Sequence, residues 1–338
     1  MARRSFRRVF IRRLVNTIIT IFGVMALNFF LIHFMPGDPI NNMVPRDPKF
    51  NPEVREELIK KFHLHDPIWT QFAYYIYNTI TLDWGTSYTA SARKVIDIIS
   101  NDLRWTLLLL VASTILTIAL GMAIGAYSAY RRGGAFDIVA TSTGLFFYGM
   151  PVFWFAMLLQ LLFSSHPLGM AWWPQFPTGG YYDTDTFGSV FHLNWGTFWS
   201  LMEHLVVPSL VLSIGYIAGV SMVMRSSLID VMTEDFIITA KAKGLTDYQV
   251  LRKHALPNGM PPMIALIAMD IAFIIGGAYQ VEVIFRYPGI GYRTIDAIYN
   301  LDFPVLQFII VIGGVAVVIA NFIADMMLYW IDPRIKVS

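Results

Sequence analysis

Read along the chain, apolar positions gather into long uncharged runs separated by stretches that hold nearly all of the charge. A bilayer core of roughly 30 Å takes about 20 residues of helix to cross, and six runs approach or exceed that length. They cover residues 14–35, 105–130, 138–164, 205–224, 263–285 and 304–331. Asp270 and Glu282 interrupt the fifth, and Asp325 stands near the end of the sixth. Only helices or closed barrels satisfy their backbone groups in lipid, and runs this long are helical in length. The expected fold class is an all-α membrane protein with about six transmembrane helices.

The polar segments orient these spans. Arg3, Arg4, Arg7, Arg8, Arg12 and Arg13 precede the first run and place the N-terminus on the cytoplasmic side. A secretory signal is the alternative for this run. It is too long for one, and Pro36-Gly37-Asp38-Pro39 follows where small residues should mark cleavage. Threading six spans from there puts Arg131, Arg132, Arg225, Lys241, Lys243, Arg252, Lys253 and the tail with Arg334 and Lys336 inside. Residues 164–203 fall outside and contain no lysine or arginine. The long segment 36–103 also falls outside; its basic residues are offset by acids, and long loops weigh little in orientation. Both termini are therefore expected in the cytoplasm.

Composition agrees with lipid as a solvent: 56% of the 338 residues are hydrophobic and 14% are charged, with a mean hydropathy of +0.54. A water-soluble chain of this size could not bury so much apolar surface. The net charge of +2 says little beside its distribution. With no cysteine, disulfides and thiolate chemistry are excluded. The basic residues cluster at one membrane edge without interleaved aromatics, so the bilayer and not nucleic acid is the partner. Seven histidines are scattered with no HExxH pattern, which argues against a metal site. No Gly-Lys dipeptide occurs, so the chain has no phosphate-cradling loop and cannot hydrolyse ATP alone. No catalytic residue is expected.

Within this frame a few features invite chemistry. Gly121 with Gly125, and Gly215 with Gly219, have the small-residue spacing that allows close helix approach or else faces lipid. Residues 233–257 form the most polar inside-facing stretch, too polar to span. Thr233 followed by Glu234 and Asp235 predicts a helix start, Phe236, Ile237 and Ala240 an apolar ridge, and Gly244 an end. A second short helix over residues 246–255, stopped by Pro257, would return to the membrane. On physics alone this is either a docking element, with Lys241 and Lys243 facing a partner, or an amphipathic hairpin lying in the membrane interface. A carboxylate at membrane depth is expensive. Asp270 therefore lines a water-filled path or is protonated or paired in a helix contact; Glu282 either lines the path or fixes the following loop at the outer boundary. The aromatics from Trp172 to Tyr182 would touch a delivered ligand or form an interfacial belt.

Thr239-Ala240, Gly244 and Leu256-Pro257, with twelve residues from the glycine to the leucine, resemble the cytoplasmic loop motif of ABC importer permeases. Ile238 stands where that motif carries glutamate, which puts one charged contact in doubt. Leu82-Asp83-Trp84-Gly85-Thr86-Ser87, Met150-Pro151-Val152-Phe153-Trp154, Glu282 with Tyr287-Pro288-Gly289-Ile290-Gly291, and the close from Asn321 through Asp325 to Asp332-Pro333-Arg334-Ile335 are similar to dipeptide and oligopeptide importer permeases. So is Pro36-Gly37-Asp38-Pro39. Together they cover nearly the whole chain.

The resemblance implies a type I ABC importer permease fold and a subunit that forms half of a translocation path. It implies a coupling helix carried by Asp235, Phe236, Thr239, Ala240, Lys241, Lys243, Gly244, Leu256 and Pro257, with Asp270, Met150 and Glu282 as path candidates. Asp270 departs from the amide expected at its position. Implied partners are a second homologous permease, two ATP-binding subunits that carry ATP and Mg, and an extracytoplasmic substrate-binding protein, all at a prokaryotic cytoplasmic membrane. No cofactor is expected on this chain. Residues 1–103 would form an N-terminal helix and exterior segment, 104–332 the permease core with its coupling loop at 233–257, and 333–338 a cytoplasmic tail. Peptides are the default cargo, with oligosaccharides or nickel complexes as alternatives. An ion-coupled secondary transporter would need matched repeats and more intramembrane carboxylates. A purely structural membrane subunit would have no use for the loop spacing.

Overall fold

A computed structural model describes residues 2–34, 52–61, 63–87, 93–164, 174–177, 179–188, 192–274 and 278–331. Among them the chain is helical, apart from an isolated bridge between Thr86 and Lys94. The helices are α1 (Ala2–His33), α2 (Pro52–Lys61), α3 (Ile68–Thr81), α4 (Val95–Tyr130), α5 (Ala135–Tyr148), α6 (Val152–Ser164) and the single turn α7 (Thr184–Phe187). They continue with α8 (Trp195–Val231), α9 (Asp235–Ala242), α10 (Asp247–Val250), α11 (Leu256–Ile274), α12 (Tyr279–Ile284), α13 (Ile290–Tyr299) and α14 (Phe303–Ile331).

Among the described residues four helices are long and apolar enough to cross a membrane: α1 over Arg7–Leu31, α4, α8, and α14 over Phe303–Ile323. The third apolar run is not one straight span. It breaks at Gly149-Met150-Pro151 into α5 and α6, which meet at 105° and make a fifth crossing if the pair counts as one. Proline has no N–H to continue the ladder and disfavours helical geometry in the residue before it, which is why the run fails there. The fifth run is helical through the end of α11 and again in α12; residues 275–277 lie outside the described residues.

Two compact units partition the chain. The first comprises Met1–Leu107, Ile275–Tyr279 and Pro288–Met326. Its core joins Met25 and Phe29 of α1, Tyr75 of α3, Trp84, Ile98 and Ile99 of α4, Ala297 of α13 and Phe308 of α14. Several polar groups buried in this core are paired. Asn28 Nδ2 donates to the Tyr75 hydroxyl at 2.9 Å, Thr106 Oγ1 accepts the Ile290 N–H at 2.8 Å, and the Ser87 hydroxyl bonds Asp302. Arg293 donates to Asp102 at 2.7 Å and to Asp296 at 2.9 Å. Asp325, at the end of the sixth run, pairs with Arg13 at 2.8 Å.

The second unit comprises Leu108–Ile274, Gln280–Tyr287 and Met327–Ser338 and is organised around α8, on which α5, α6 and α11 pack. The C-terminal half of α4 also meets α8. A Cβ at Gly121 would stand 2.6 Å from Val220 Cγ1, and one at Gly125 would stand 2.4 Å from the Ser221 carbonyl oxygen. This glycine pair lets two backbones touch, and Ser213 Oγ donates across the same contact to the Ser113 carbonyl at 3.0 Å. Gly215 and Gly219, by contrast, meet nothing within 4 Å.

Candidate functional site

The polar segment 233–257 forms its first helix as the sequence predicts. Glu234 is the N-cap residue of α9 and Asp235 lies in its first turn, where negative charge suits the helix dipole. Lys243 closes the helix, and Gly244 follows at φ +81°, a left-handed turn that glycine adopts without strain. The ridge differs from expectation by one residue. Ile237 and Ala240 are buried in a core that also holds Val250, Leu251 and Ala255 and Val220, Met224 and Leu228 of α8, whereas Phe236 is 40% exposed. Phe236 precedes Ile237 by about 100° around the helix, so only the i, i+3 pair faces inward. Phe236 therefore shares the open side of α9 with Ile238, 63% exposed, and with Asp235, Thr239, Lys241, Lys243 and Gly244. Lys241 reaches Asp247 at 3.0 Å.

Thr246 then caps α10 through a reciprocal pair with Gln249. Here the expected stop at Pro257 does not occur. The chain passes from α10 through a π-helical turn, Leu251–Ala255, directly into α11, and Leu256 and Pro257 open that helix. Proline is tolerated in a first turn, and the shift to i→i+5 bonding just before it changes which carbonyls need donors. Asn258 Nδ2 supplies one, to the His254 carbonyl at 2.7 Å. Val250, Leu251 and Ala255 join the core that holds Ile237 and Ala240. The loop and the start of the fifth run thus form one packed piece with α8.

Near the same part of α8 lies a pair the sequence reading did not single out. Arg225 donates to Asp137 through Nε at 2.6 Å and Nη2 at 2.8 Å, while the Gly133 N–H bonds the same carboxylate at 2.9 Å. The Asp137 side chain is 4% exposed. An acid just inside a helix that follows a basic turn was the available signal, but its partner stands 88 positions away.

The three path candidates are not brought into one place by anything described. Met150 sits in the break between α5 and α6. Glu282 is fully buried in the second unit, and its carbonyl accepts the Tyr287 N–H at 2.8 Å. Burial and the nearby Glu282 carboxylate push the Tyr287 phenol above its ordinary range. Around this turn, Gln160 of α6 donates to the Ile284 carbonyl at 3.0 Å and the Gly180 N–H to the Phe285 carbonyl at 2.9 Å. Asp270 belongs to α11, and its side chain lies outside the described residues, as do Trp172, Trp173, Pro36 to Pro39 and Asp332 to Ile335.

Comparison with known proteins gives a consistent result. Residues 121–337 match the family described as binding-protein-dependent transport system inner membrane component, and residues 6–94 match the N-terminal region of such membrane components. The oligopeptide transport system permease protein AppB of Bacillus subtilis is 35% identical over 96% of this chain and 98% of its own. The dipeptide permease DppB of Escherichia coli is 32% identical, again over 96% of this chain and 98% of its own. The di/tripeptide permease DppB of Pseudomonas aeruginosa is 31% identical over 96% and 97%.

Proposed function

Because the chain belongs to the family of binding-protein-dependent transport system inner membrane components, we propose that it is the permease subunit of an ATP-driven importer. It would form half of a translocation path for peptides handed over by an extracytoplasmic binding protein. Peptides take precedence over oligosaccharides and nickel complexes because the relatives carry peptide permease names. As a multi-pass transport subunit it performs no chemistry of its own. ATP and Mg belong to two partner ATPase subunits, a second homologous permease completes the path, and the assembly sits in a prokaryotic cytoplasmic membrane. Residues 1–103 supply the N-terminal helix and exterior segment, 104–332 the permease core, and 333–338 the cytoplasmic tail.

The observation that carries the coupling assignment is the division of α9 into two faces. Ile237 and Ala240 bury one side of it in a core shared with α8 and the start of α11, while Phe236, Ile238, Lys241 and Lys243 stay open. A helix held on one side and exposed on the other is the form a docking element takes. Because the same core includes Val250, Ala255 and Met263, a push on α9 is passed to α8 and α11 as a rigid-body displacement. Alternating access then follows from two packings of these helices about a path to which Met150, Asp270 and Glu282 contribute.

Gly244→Val tests this. A β-branched residue at φ +81° costs on the order of 1–2 kcal/mol in the turn, while the space around the glycine is open. Subunit retention, ATP turnover and uptake are measured on one reconstituted sample. Loss of the ATPase subunits, or hydrolysis detached from uptake, is expected; normal values for all three would remove the coupling assignment.

A further inference from the structure

Helix α3 belongs to the segment that charge places outside the membrane, yet neither its composition nor its contacts suit water. From Pro67 to Leu82 the chain carries no charged residue, and the nearest acids, Asp66 and Asp83, flank the helix. Both are engaged, Asp66 with His63 at 2.8 Å and Asp83 with Lys61. One face of α3, with Phe72, Tyr75 and Ile76, packs into the core of the first unit. The opposite face presents Trp69, Ala73, Tyr77 and Ile80, whose helical spacing aligns them in one stripe. Trp69 is 70% exposed, Tyr77 63% and Ile80 71%. A helix apolar on both sides belongs in a core or in lipid, and the stripe lies outside the core.

Ring contacts fix the level of α3 against α1. The Phe72 ring lies 5.9 Å from Phe22 and 5.2 Å from Phe29, centroid to centroid, and these two residues are about 10 Å apart along a helix. Phe72 therefore sits between their levels, within the Arg7–Leu31 stretch able to cross a membrane. Trp69 meets Phe30 at 6.3 Å and Tyr75 meets Phe29 at 5.3 Å, at the same end of that stretch. Phe22, Leu27 and Leu31 are themselves exposed, so the apolar surface of the spanning helix continues onto α3.

The polar groups are closed off as lipid requires. Asn28, inside the apolar run of α1, donates to the Tyr75 hydroxyl, and His33 Nε2 meets Gln71 Oε1 at 2.9 Å. Thr79 and Thr81 return their hydroxyls to the Tyr75 and Tyr77 carbonyls at 2.7 and 2.9 Å, within the helix. Along the stripe the side-chain polar atoms are the Trp69 N–H and the Tyr77 hydroxyl. Tryptophan and tyrosine are the residues that prefer the depth where lipid meets water. With 14 residues, about 21 Å, α3 is too short to cross.

We propose that α3 is an interfacial helix whose Trp69, Ala73, Tyr77 and Ile80 face rests on the acyl chains of the outer leaflet, anchoring the exterior segment to the bilayer. The choice of leaflet rests on the orientation read from charge; the lipid contact does not.

The test uses the full chain in the complex with which it purifies, held in nanodiscs. Single cysteines replace Ala73, Tyr77 or Ile80, with Ile19 of α1 as the lipid-facing reference and His65 as the water-facing one, and each is labelled with bimane. Ala73→Cys is nearly isosteric and guards against a folding defect. Phosphatidylcholine carrying a nitroxide near its headgroup, and aqueous iodide, serve as quenchers. Lipid quenching at 73, 77 and 80 is expected at about the level seen at position 19, with iodide quenching about fivefold weaker than at position 65. Iodide quenching equal to that at position 65 would show a water-facing helix and overturn the proposal. Protection from both quenchers would show that another protein surface covers the stripe, and would overturn it equally.

Discussion

Arg225 and Asp137 make a bidentate ion pair whose two ends differ in their access to water: the arginine side chain is 30% exposed and the aspartate 4%. Removing one member of a buried pair typically costs about 3–5 kcal/mol because the other charge is stranded. Arg225→Ala strands the more buried partner and should lower the melting temperature of the purified protein more than Asp137→Ala does. The double variant should lose less than the sum of the two, and a double-mutant cycle by thermal unfolding measures that coupling. At Asp270 the expectation concerns transport. A carboxylate in an apolar run is costly enough to be kept for use, so Asp270→Asn should change uptake while leaving assembly intact. Unchanged uptake and affinity would show that the charge has no part in the path.

The α4 and α8 helices meet through glycine because nothing larger fits. Gly125→Leu would drive a side chain into the Ser221 carbonyl and Met224 Cβ, 2.4 and 2.8 Å from where its own Cβ would begin, and should separate the two helices. A marked fall in thermal stability is expected, whereas Gly219→Leu, with open space around it, should be tolerated. Measuring both variants by the same melt separates packing from a general intolerance of bulk. Spacing made the two glycine pairs look alike; which pair faces a neighbour depends on how α8 is rotated against α4, and that rotation is set by the packed partners. The same limit applies to Phe236 and Ile237. Hydropathy marks both as apolar, but only the orientation of α9 toward the shared core puts one inside and the other out.

Across the whole molecule the strongest expectation is topological. Both termini and Gly244 should lie in the cytoplasm, with residues 164–203 outside, because basic residues concentrate in the first set of segments and are absent from the second. The chain has no cysteine, so single cysteines at Lys243 and Tyr181 report without background. A membrane-impermeant reagent applied to intact cells should label position 181 and spare 243. Labelling of position 243 would reverse the orientation.

Long apolar runs, basic edges and the order of short motifs were enough to establish from sequence alone that this is a helical membrane protein of the importer permease kind. Bilayer thickness and the cost of unpaired backbone in lipid leave few other structures for such a pattern. The turn at Gly244 was legible for a similar reason, since its requirement is local. What needed tertiary structure was every feature that depends on residues distant in the chain. The break at Pro151 is a local signal, yet its 105° bend is held by packing of α5 and α6 on α8. Pro257 reads as a stop until the π turn before it is seen to carry the helix through. Arg225 finds Asp137 and Arg13 finds Asp325 only in the folded chain. Pair energies are properties of three-dimensional proximity, and a one-dimensional pattern contains the candidates for them without the choice among candidates.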